Sequence, residues 1–330
     1  MLVTMKDIAK KAGVSVVTVS RALNQKPDIN KETRELILKI AQELNYTPDS
    51  LAKSMVTKKT MTVGIIVPAM DHFYAEVVDG ISKESLERGY SVVLCNSHES
   101  PDKEIELIRL LREKRVDGML IYPIQADHRY IDELRNTSIP FVFLNRHTDE
   151  LDCDYVINDN VHGAFAAVTH LIQKGYQVII YICAKPTASS GKERMAGCRK
   201  AFLENGLPLN LLEILTCEER IECCYHLVKK LLSENKNVDA IFVWDDRLAI
   251  GAIKAIFEAG KRIPQDIAIV GYDDIEISEF LFPELTTVRH PSHEIGKTAT
   301  RILIDKLESE GKNELKRVVL KPELIIRRTT

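Results

Sequence analysis

The sequence predicts an α/β protein: an all-α head with a helix-turn-helix layout and a short hinge, then a two-lobed core of parallel sheets. Three observations predict it. Between residues 5 and 44, apolar residues recur at helical spacing in three short stretches punctuated by Gly13, Ser15 and Asn30. From residue 61 the period changes, and short apolar runs alternate with amphipathic stretches of about 12–18 residues, the signature of β-α repetition. The charge divides at the same place. Residues 1–60 hold nine Lys and two Arg against three Asp and three Glu, a net +5; with −3 overall, the other 270 of the 330 residues carry −8. A basic head on an acidic body is expected where only the head meets a polyanion.

In the head, Thr4 reads as an N-cap with Asp7 three residues on. A helix over Met5–Ala12 places Ile8, Ala9 and Ala12 on one stripe, and Gly13 ends it where positive φ is favoured. Ser15 caps a second helix, Val16–Leu23, with Val19, Ala22 and Leu23 facing inward and Val16, Val17, Ser20 and Arg21 outside or at the edge. Helix, Gly-containing turn and helix make the helix-turn-helix layout. Asn30 caps a third helix, Lys31–Leu44, with Ile37, Ile40, Ala41 and Leu44 inward; Asn45 closes it and Pro48 prevents continuation. The pattern alone also fits a small helical bundle that binds no nucleic acid. Against that, Val16 and Val17 open helix two on the outside, where a solvated face normally carries charge. Apolar side chains there suit thymine methyl groups in a major groove.

The segments Met5-Lys-Asp-Ile-Ala-Lys-Lys-Ala-Gly-Val-Ser15, Thr18-Val-Ser-Arg-Ala-Leu-Asn24 and Leu44-Asn-Tyr-Thr-Pro48 resemble the head of the LacI/GalR family of bacterial transcriptional regulators. Gly271-Tyr-Asp-Asp and Leu285-Thr-Thr-Val288 extend the resemblance through the body. It implies a sequence-specific repressor, a homodimer on double-stranded operator DNA, controlled by a small molecule. It also assigns roles. Val16, Val17 and Arg21 stand where the family reads base edges, and Arg suits bidentate bonding to guanine O6 and N7. Thr4, Ser15, Thr18 and Asn24 are expected at phosphates, which fix register without reading sequence. The doubled valine departs from members with a polar residue at one of these sites. Residues 48–56 resemble the hinge helix, with Leu51, Ala52, Lys53 and Met55 at the minor groove. Met55 stands where the family has a Leu wedge, and an unbranched apolar side chain can still insert and kink the duplex. So short a helix is unstable alone in water, so it is expected to form only beside its dimer mate on DNA. A plain flexible linker is the alternative.

The expected domains are a head over 1–47, a hinge and linker over 48–60 and a core over 61–330. Strands are expected at Thr62–Val67, Ser91–Cys95, Gly118–Tyr122, Phe141–Leu144, Tyr155–Ile157, Val178–Cys183, Leu211–Leu215, Ala240–Val243 and Ala268–Val270, with helices between them. The run Thr287–His290 and a helix over Glu294–Leu307 are expected to cross back to the first half. The resemblance implies a core like the periplasmic binding proteins. Lobe one takes about 61–159 and 290–320, lobe two about 160–289 and 321–330.

Ligands of open parallel sheets bind beyond the carboxyl ends of the strands. Those ends are rich in polar and aromatic groups. By position, Phe73, Tyr74, Asn145, Arg194, Asp245 and Asp273 match effector-contact sites of the family, and Ser190, Trp244 and His290 join them as candidates. Carboxylates and a guanidinium bond adjacent hydroxyls and aromatics cover an apolar ring face, so a sugar or sugar derivative is the expected effector. Asp246 and Asp274 read as caps of local turns. Glu219 lies near a point where sugar- and purine-responsive relatives often carry an aromatic.

Two other functional classes share parts of this pattern. A sugar-binding transport protein shares the two-lobed core, but the basic head and an N-terminus without a signal-peptide pattern oppose it. An enzyme on a doubly wound fold would need a nucleophile-base pair or a phosphate loop. No G-x-G-x-x-G after a strand, G-x-x-x-x-G-K-[ST] or G-x-S-x-G is present. The seven cysteines show no C-x-x-C and no metal spacing; Cys223-Cys224 reads as a reduced helix face or, alternatively, a redox pair. No apolar run approaches the roughly 18 residues of a membrane span. The expectation is a cytoplasmic, nucleoid-associated protein with no cofactor, no metal and no membrane partner.

Overall fold

A computed structural model describes residues 3–46, 58–70, 72–125, 128–234, 237–309 and 314–330. The hinge candidates Leu51, Ala52, Lys53 and Met55 lie outside the described residues. The chain divides into two compact units, residues 1–60 and 61–330.

The first unit is built on three helices, α1 (Met5–Ala12), α2 (Val16–Leu23) and α3 (Lys31–Glu43). Their ends are set by side chains. The Asp7 carboxylate accepts from the Thr4 N–H at 2.9 Å and the Thr4 hydroxyl at 2.7 Å. Gly13 takes φ 68°, a left-handed turn that a Cβ would strain. Ser15 Oγ accepts from the Thr18 N–H at 3.0 Å, and Asn30 Oδ1 from the Thr33 N–H at 2.7 Å. Between the helices Ile8, Val19, Ala22 and Ile37 are wholly buried, with Ala9 and Ile40 beside them. The third helix ends one residue before its expected limit, with Leu44 as its cap.

The second unit holds two six-stranded sheets. The first orders its strands β11 (Arg317–Leu320), β5 (Asp154–Asn158), β4 (Phe141–Leu144), β3 (Gly118–Ile121), β1 (Thr62–Val67) and β2 (Ser91–Asn96). The second runs β12 (Glu323–Ile325), β10 (Thr286–Arg289), β9 (Ala268–Asp273), β8 (Ala240–Val243), β6 (Ile179–Cys183) and β7 (Leu212–Thr216). Pairing is parallel, with Val63 opposite both Val92 and Gly118, except that β12 lies antiparallel to β10. Central strands such as β1, β3, β6 and β8 are buried on both faces, which is why they read as continuous apolar runs.

The chain passes between the lobes after β5, after β10 and between β11 and β12. The run at 287–290 was expected to cross back with the helix after it. Instead β10 stays in the second sheet, parallel to β9 with Thr286 opposite Val270, and the crossing begins at His290. Helix α11 (Ser292–Glu308) then returns to lobe one and packs on α4 (His72–Glu87), where Arg88 reaches Asp305 at 3.1 Å and Arg301 reaches Glu84 at 3.3 Å. Strands β11 and β12 escaped the sequence reading. Both are short edge strands with half-exposed faces, and their apolar runs, Val318–Leu320 and Leu324–Ile326, are only three residues long.

Candidate functional site

Helix α2 presents Val17, 64% exposed, and Val16, 38% exposed, away from the head's core. Arg21 is exposed as well, and its Nη2 lies 2.6 Å from the Asp28 carboxylate. The candidate phosphate contacts cluster at helix ends. Thr4 precedes α1 with its hydroxyl on Asp7; the Ser15 and Thr18 hydroxyls meet at 2.9 Å at the start of α2; Asn24 closes α2 and donates through Nδ2 to Ser20 O at 2.8 Å. Exposed helix N-termini favour phosphate oxygens.

In the core, the carboxyl ends of strands from both sheets converge on a cleft open to solvent. Phe73 and Tyr74 enter it from the start of α4, Asn145 follows β4, Trp244 and Asp245 follow β8, Asp273 ends β9 and His290 follows β10. Arg194 enters from α8 (Ser189–Glu204). Eight of the nine sequence candidates thus line one cavity. The ninth, Ser190, is buried but is not on its wall, and its hydroxyl has no hydrogen-bond partner. On a helix, positions 190 and 194 share a face, but Arg194 has the length to reach the cavity and Ser190 does not.

Arg194 organises the cleft. Its guanidinium lies 3.6 Å from the Tyr272 ring centroid and 4.4 Å from that of Trp244, so both aromatic faces hold a cation. It donates to Trp244 O at 2.7 Å and to Asn160 Oδ1 at 3.1 Å, and its Nη2 is 3.2 Å from His290 Nε2. That same nitrogen lies 3.1 Å from Asp273 Oδ1. Burial first, and then the Arg194 charge, hold the His290 imidazole well below its ordinary value and therefore neutral. In either tautomer its Nδ1 is buried without a protein partner. Asn145, at φ 55°, donates to the Tyr122 hydroxyl at 2.8 Å and leaves Oδ1 unpartnered. Arg146 is buried, donates to Pro123 O and Ile124 O at 2.8 and 2.9 Å, and leaves Nε unpartnered. Buried polar atoms are nearly always paired, so three orphans on residues of one cavity leave hydrogen-bonding capacity unused there.

Two neighbouring carboxyls divide their work. Asp245 caps helix α10 (Asp246–Glu258), accepting from the Leu248 N–H at 2.6 Å, and faces the cavity. Burial, then the nearby Asp273 charge, push its carboxyl well above the ordinary carboxylate range. Asp246 points into lobe two and ties β9, β10 and the loop after β9 together. It accepts from Thr287 Oγ1 at 2.6 Å, Ser278 Oγ at 2.7 Å and the Ile275 N–H at 3.0 Å. Its role is this buried junction, wider than the turn cap expected. A Cβ at Gly271 would lie 2.0 Å from Asp246 Oδ1, which explains the glycine of Gly271-Tyr-Asp-Asp. Tyr272 then carries Arg194, Asp273 faces His290, and Asp274 is held by Arg289 and Arg327 at 2.7 and 2.6 Å rather than capping a turn.

Sequence reasoning placed Asn145-Arg146 among the polar strand ends that make the cleft, but did not assign Tyr122, Arg247 or Ile275 to it. Tyr122 shares the signal of those found, a position just past a strand; Ile275 carries none. Glu219, singled out for standing near an expected aromatic, lines the cavity. It lies 2.8 Å from Lys185, which reaches Glu99 of lobe one at 2.5 Å. Among the described residues no cluster fit to hold a metal ion is present, and no helix is long and apolar enough to cross a membrane.

Comparison with known proteins places these sites in context. Residues 4–49 match the family model of bacterial regulatory proteins, lacI family, and residues 168–330 match that of a periplasmic binding protein-like domain. The HTH-type transcriptional repressor PurR of Aliivibrio fischeri is 33% identical over 330 residues, covering 99% of this chain and 98% of the relative. Among solved structures, the Lac repressor dimer bound to operator and the anti-inducer ONPF aligns with a TM-score of 0.89 and 28% identity, covering 100% of this chain and 99% of that one. A complex of the transcriptional regulator CelR with cellobiose aligns with a TM-score of 0.76 and 29% identity, covering 99% and 100%.

Proposed function

Because this chain belongs to the LacI family of bacterial regulatory proteins, we propose that it represses transcription from a near-palindromic operator as a homodimer and is controlled by a sugar-class effector held between the lobes of its core. It is a repressor-type DNA-binding regulator and not an enzyme, as its relatives are repressors. On the operator, Val16 and Val17 meet bases in the major groove, Arg21 bonds a guanine, and Thr4, Ser15, Thr18 and Asn24 seat the head on phosphates. The protein works in the cytoplasm, where its operator lies, and needs no cofactor beyond the effector.

One observation carries the choice of effector class. Arg194 already covers one face of Trp244 and of Tyr272, and Tyr272 is wholly buried, which leaves lobe two little aromatic surface on which a flat base could stack. What the cavity offers instead is an array of polar atoms: the carboxyls of Asp245 and Asp273 and the orphaned atoms of Asn145, Arg146 and His290. Such an array bonds the alternating hydroxyls of a polyol, with Phe73 against its apolar face. The cellobiose bound by the structural relative CelR supports the same class. A thermal-shift screen over sugars, sugar phosphates and nucleobases, followed by operator binding with each hit, tests the reading. Stabilisation by a sugar or sugar phosphate that also changes operator affinity is expected. Stabilisation by nucleobases alone would overturn it.

A further inference from the structure

The wall of the cleft is divided by charge. Lobe one supplies Phe73, Tyr74, Tyr122, Asn145 and Arg146, and among these Arg146 alone is charged. The acidic groups of the wall, Glu219, Asp245 and Asp273, all stand on lobe two, together with Arg194 and Arg247. Arg146 is only 2% exposed, yet among the described residues it has no ion-pair partner. Glu219 is engaged by Lys185 at 2.8 Å, and so is Glu99 at 2.5 Å. A guanidinium cannot shed its charge, so its burial without an anion is unfavourable.

The bonds that Arg146 does make leave one edge unused. Both depart from Nη1, to Pro123 O at 2.8 Å and Ile124 O at 2.9 Å. The guanidinium carbon lies 4.9 Å from the centroid of the Tyr122 ring, which steadies its plane. The Nε–Nη2 edge bonds no described residue, and Nε is buried. That edge is a planar fork, which grips a carboxylate or a phosphate through two parallel N–H···O bonds. Arg194 has no such edge to offer, since Nε, Nη1 and Nη2 all meet protein atoms.

We propose that the effector is an anionic sugar derivative whose phosphate or carboxylate is held by the Nε–Nη2 edge of Arg146 on lobe one, while its hydroxyls bond Asp245 and Asp273 on lobe two. This rests on the reading of the cleft as a sugar site and narrows it to charged members of that class. The polarity of the wall sets the orientation. The anion turns to lobe one, whose described wall residues carry no acid, and away from Asp273. Burial keeps the Asp245 carboxyl above its ordinary range, which removes a second opposing charge. A ligand held in this way bonds both lobes at once, and the charged group supplies the lobe-one half of that grip.

The test is calorimetry on the full-length protein with matched sets of ligands: glucose, glucose phosphate and glucuronate; galactose, galactose phosphate and galacturonate; ribose, ribose phosphate and ribonate. In at least one set an anionic member should bind at least about tenfold more tightly than its neutral sugar. Whether that member is the phosphate or the carboxylate identifies the anion. Arg146→Gln should weaken its binding about a hundredfold and so collapse the preference over the neutral sugar. Arg146→Lys keeps the buried charge but loses the fork, so it should show an intermediate preference, and it stands in if the glutamine variant does not fold. The basic head is the same in all three proteins, so an anion bound there would keep its affinity in both variants, and that result would overturn the proposal. Neutral sugars binding as tightly as their anionic partners in every set would overturn it too, while leaving the sugar-class reading intact. Binding by nucleobases alone would overturn both.

Discussion

At the scale of single residues, the clearest consequence concerns Arg21. It is paired to Asp28 at 2.6 Å in the described head, and both side chains are about half exposed, 51% and 45%. An exposed ion pair is worth only a few tenths to about 1 kcal/mol, so DNA can draw Arg21 away at small cost. Arg21→Ala should therefore cost about 1–3 kcal/mol of operator binding and relax preference at one base pair per half-site. Asp28→Asn should tighten binding to operator and random DNA modestly, since it frees the guanidinium and removes a negative charge. Fluorescence anisotropy on both DNAs checks the two. Equal losses on specific and random DNA for Arg21→Ala would remove its base-reading role. In the cleft, Asp273→Ala should abolish the response to the sugar found by the screen while leaving effector-free operator binding nearly intact. Calorimetric retention of full sugar affinity by this variant would show that the effector binds elsewhere.

At the scale of elements, Asp246 joins the start of α10 to β10 and to the loop after β9, and burial pushes its carboxyl up to about 8 against the pull of its three donors. Its ordinary value is 3.8, so the native state retains a proton that the unfolded chain releases. That contribution to stability is whole below the ordinary value and is lost as pH rises through about 8. The stability of the parent relative to Asp246→Asn should thus fall across the window from about 4 to about 8, read by urea unfolding at several pH values. A flat difference would mean that Thr287, Ser278 and Ile275 keep the carboxylate ionised throughout. The same junction accounts for Gly271, since any side chain there displaces Asp246. The motif Gly271-Tyr-Asp-Asp was legible as a string, but its logic needed the fold, because the partners of its four residues come from α10, α8, β10 and the chain's last ten residues.

At the scale of the whole molecule, the proposed control is a coupling between effector and DNA. By linkage, whatever factor the effector imposes on operator affinity, the operator imposes on effector affinity, typically about 5–150-fold. Met55→Gly, in the segment outside the described residues, should reduce operator binding and leave sugar binding unchanged, because glycine removes the wedge and disfavours a helix. Operator binding equal to the parent would make that segment a linker only. Association should reside in the core. The expected surface is the helices of the first lobe, and residues 61–330 should sediment as a dimer at micromolar concentration; a clean monomer would overturn that assignment.

The sequence by itself determined the elements and the chemistry near strand ends. Helix caps act between residues three apart, and a strand buried on both faces must be apolar along its length, so both are written locally. The limits of α1, α2, β1, β4 and β8 follow from this, as does the placing of polar and aromatic groups after strands, because the α/β fold puts every strand's carboxyl end on one side. Tertiary structure decided what depends on residues far apart in the chain. It kept β10 in the second sheet, paired two edge strands whose apolar runs are only three residues long, and left Ser190 short of the cavity. It also brought Tyr122 to the cavity wall and placed Arg194 between two aromatic rings. These outcomes depend on side-chain length, on which sheet supplies a free edge and on close approach between distant segments, none of which a local pattern encodes.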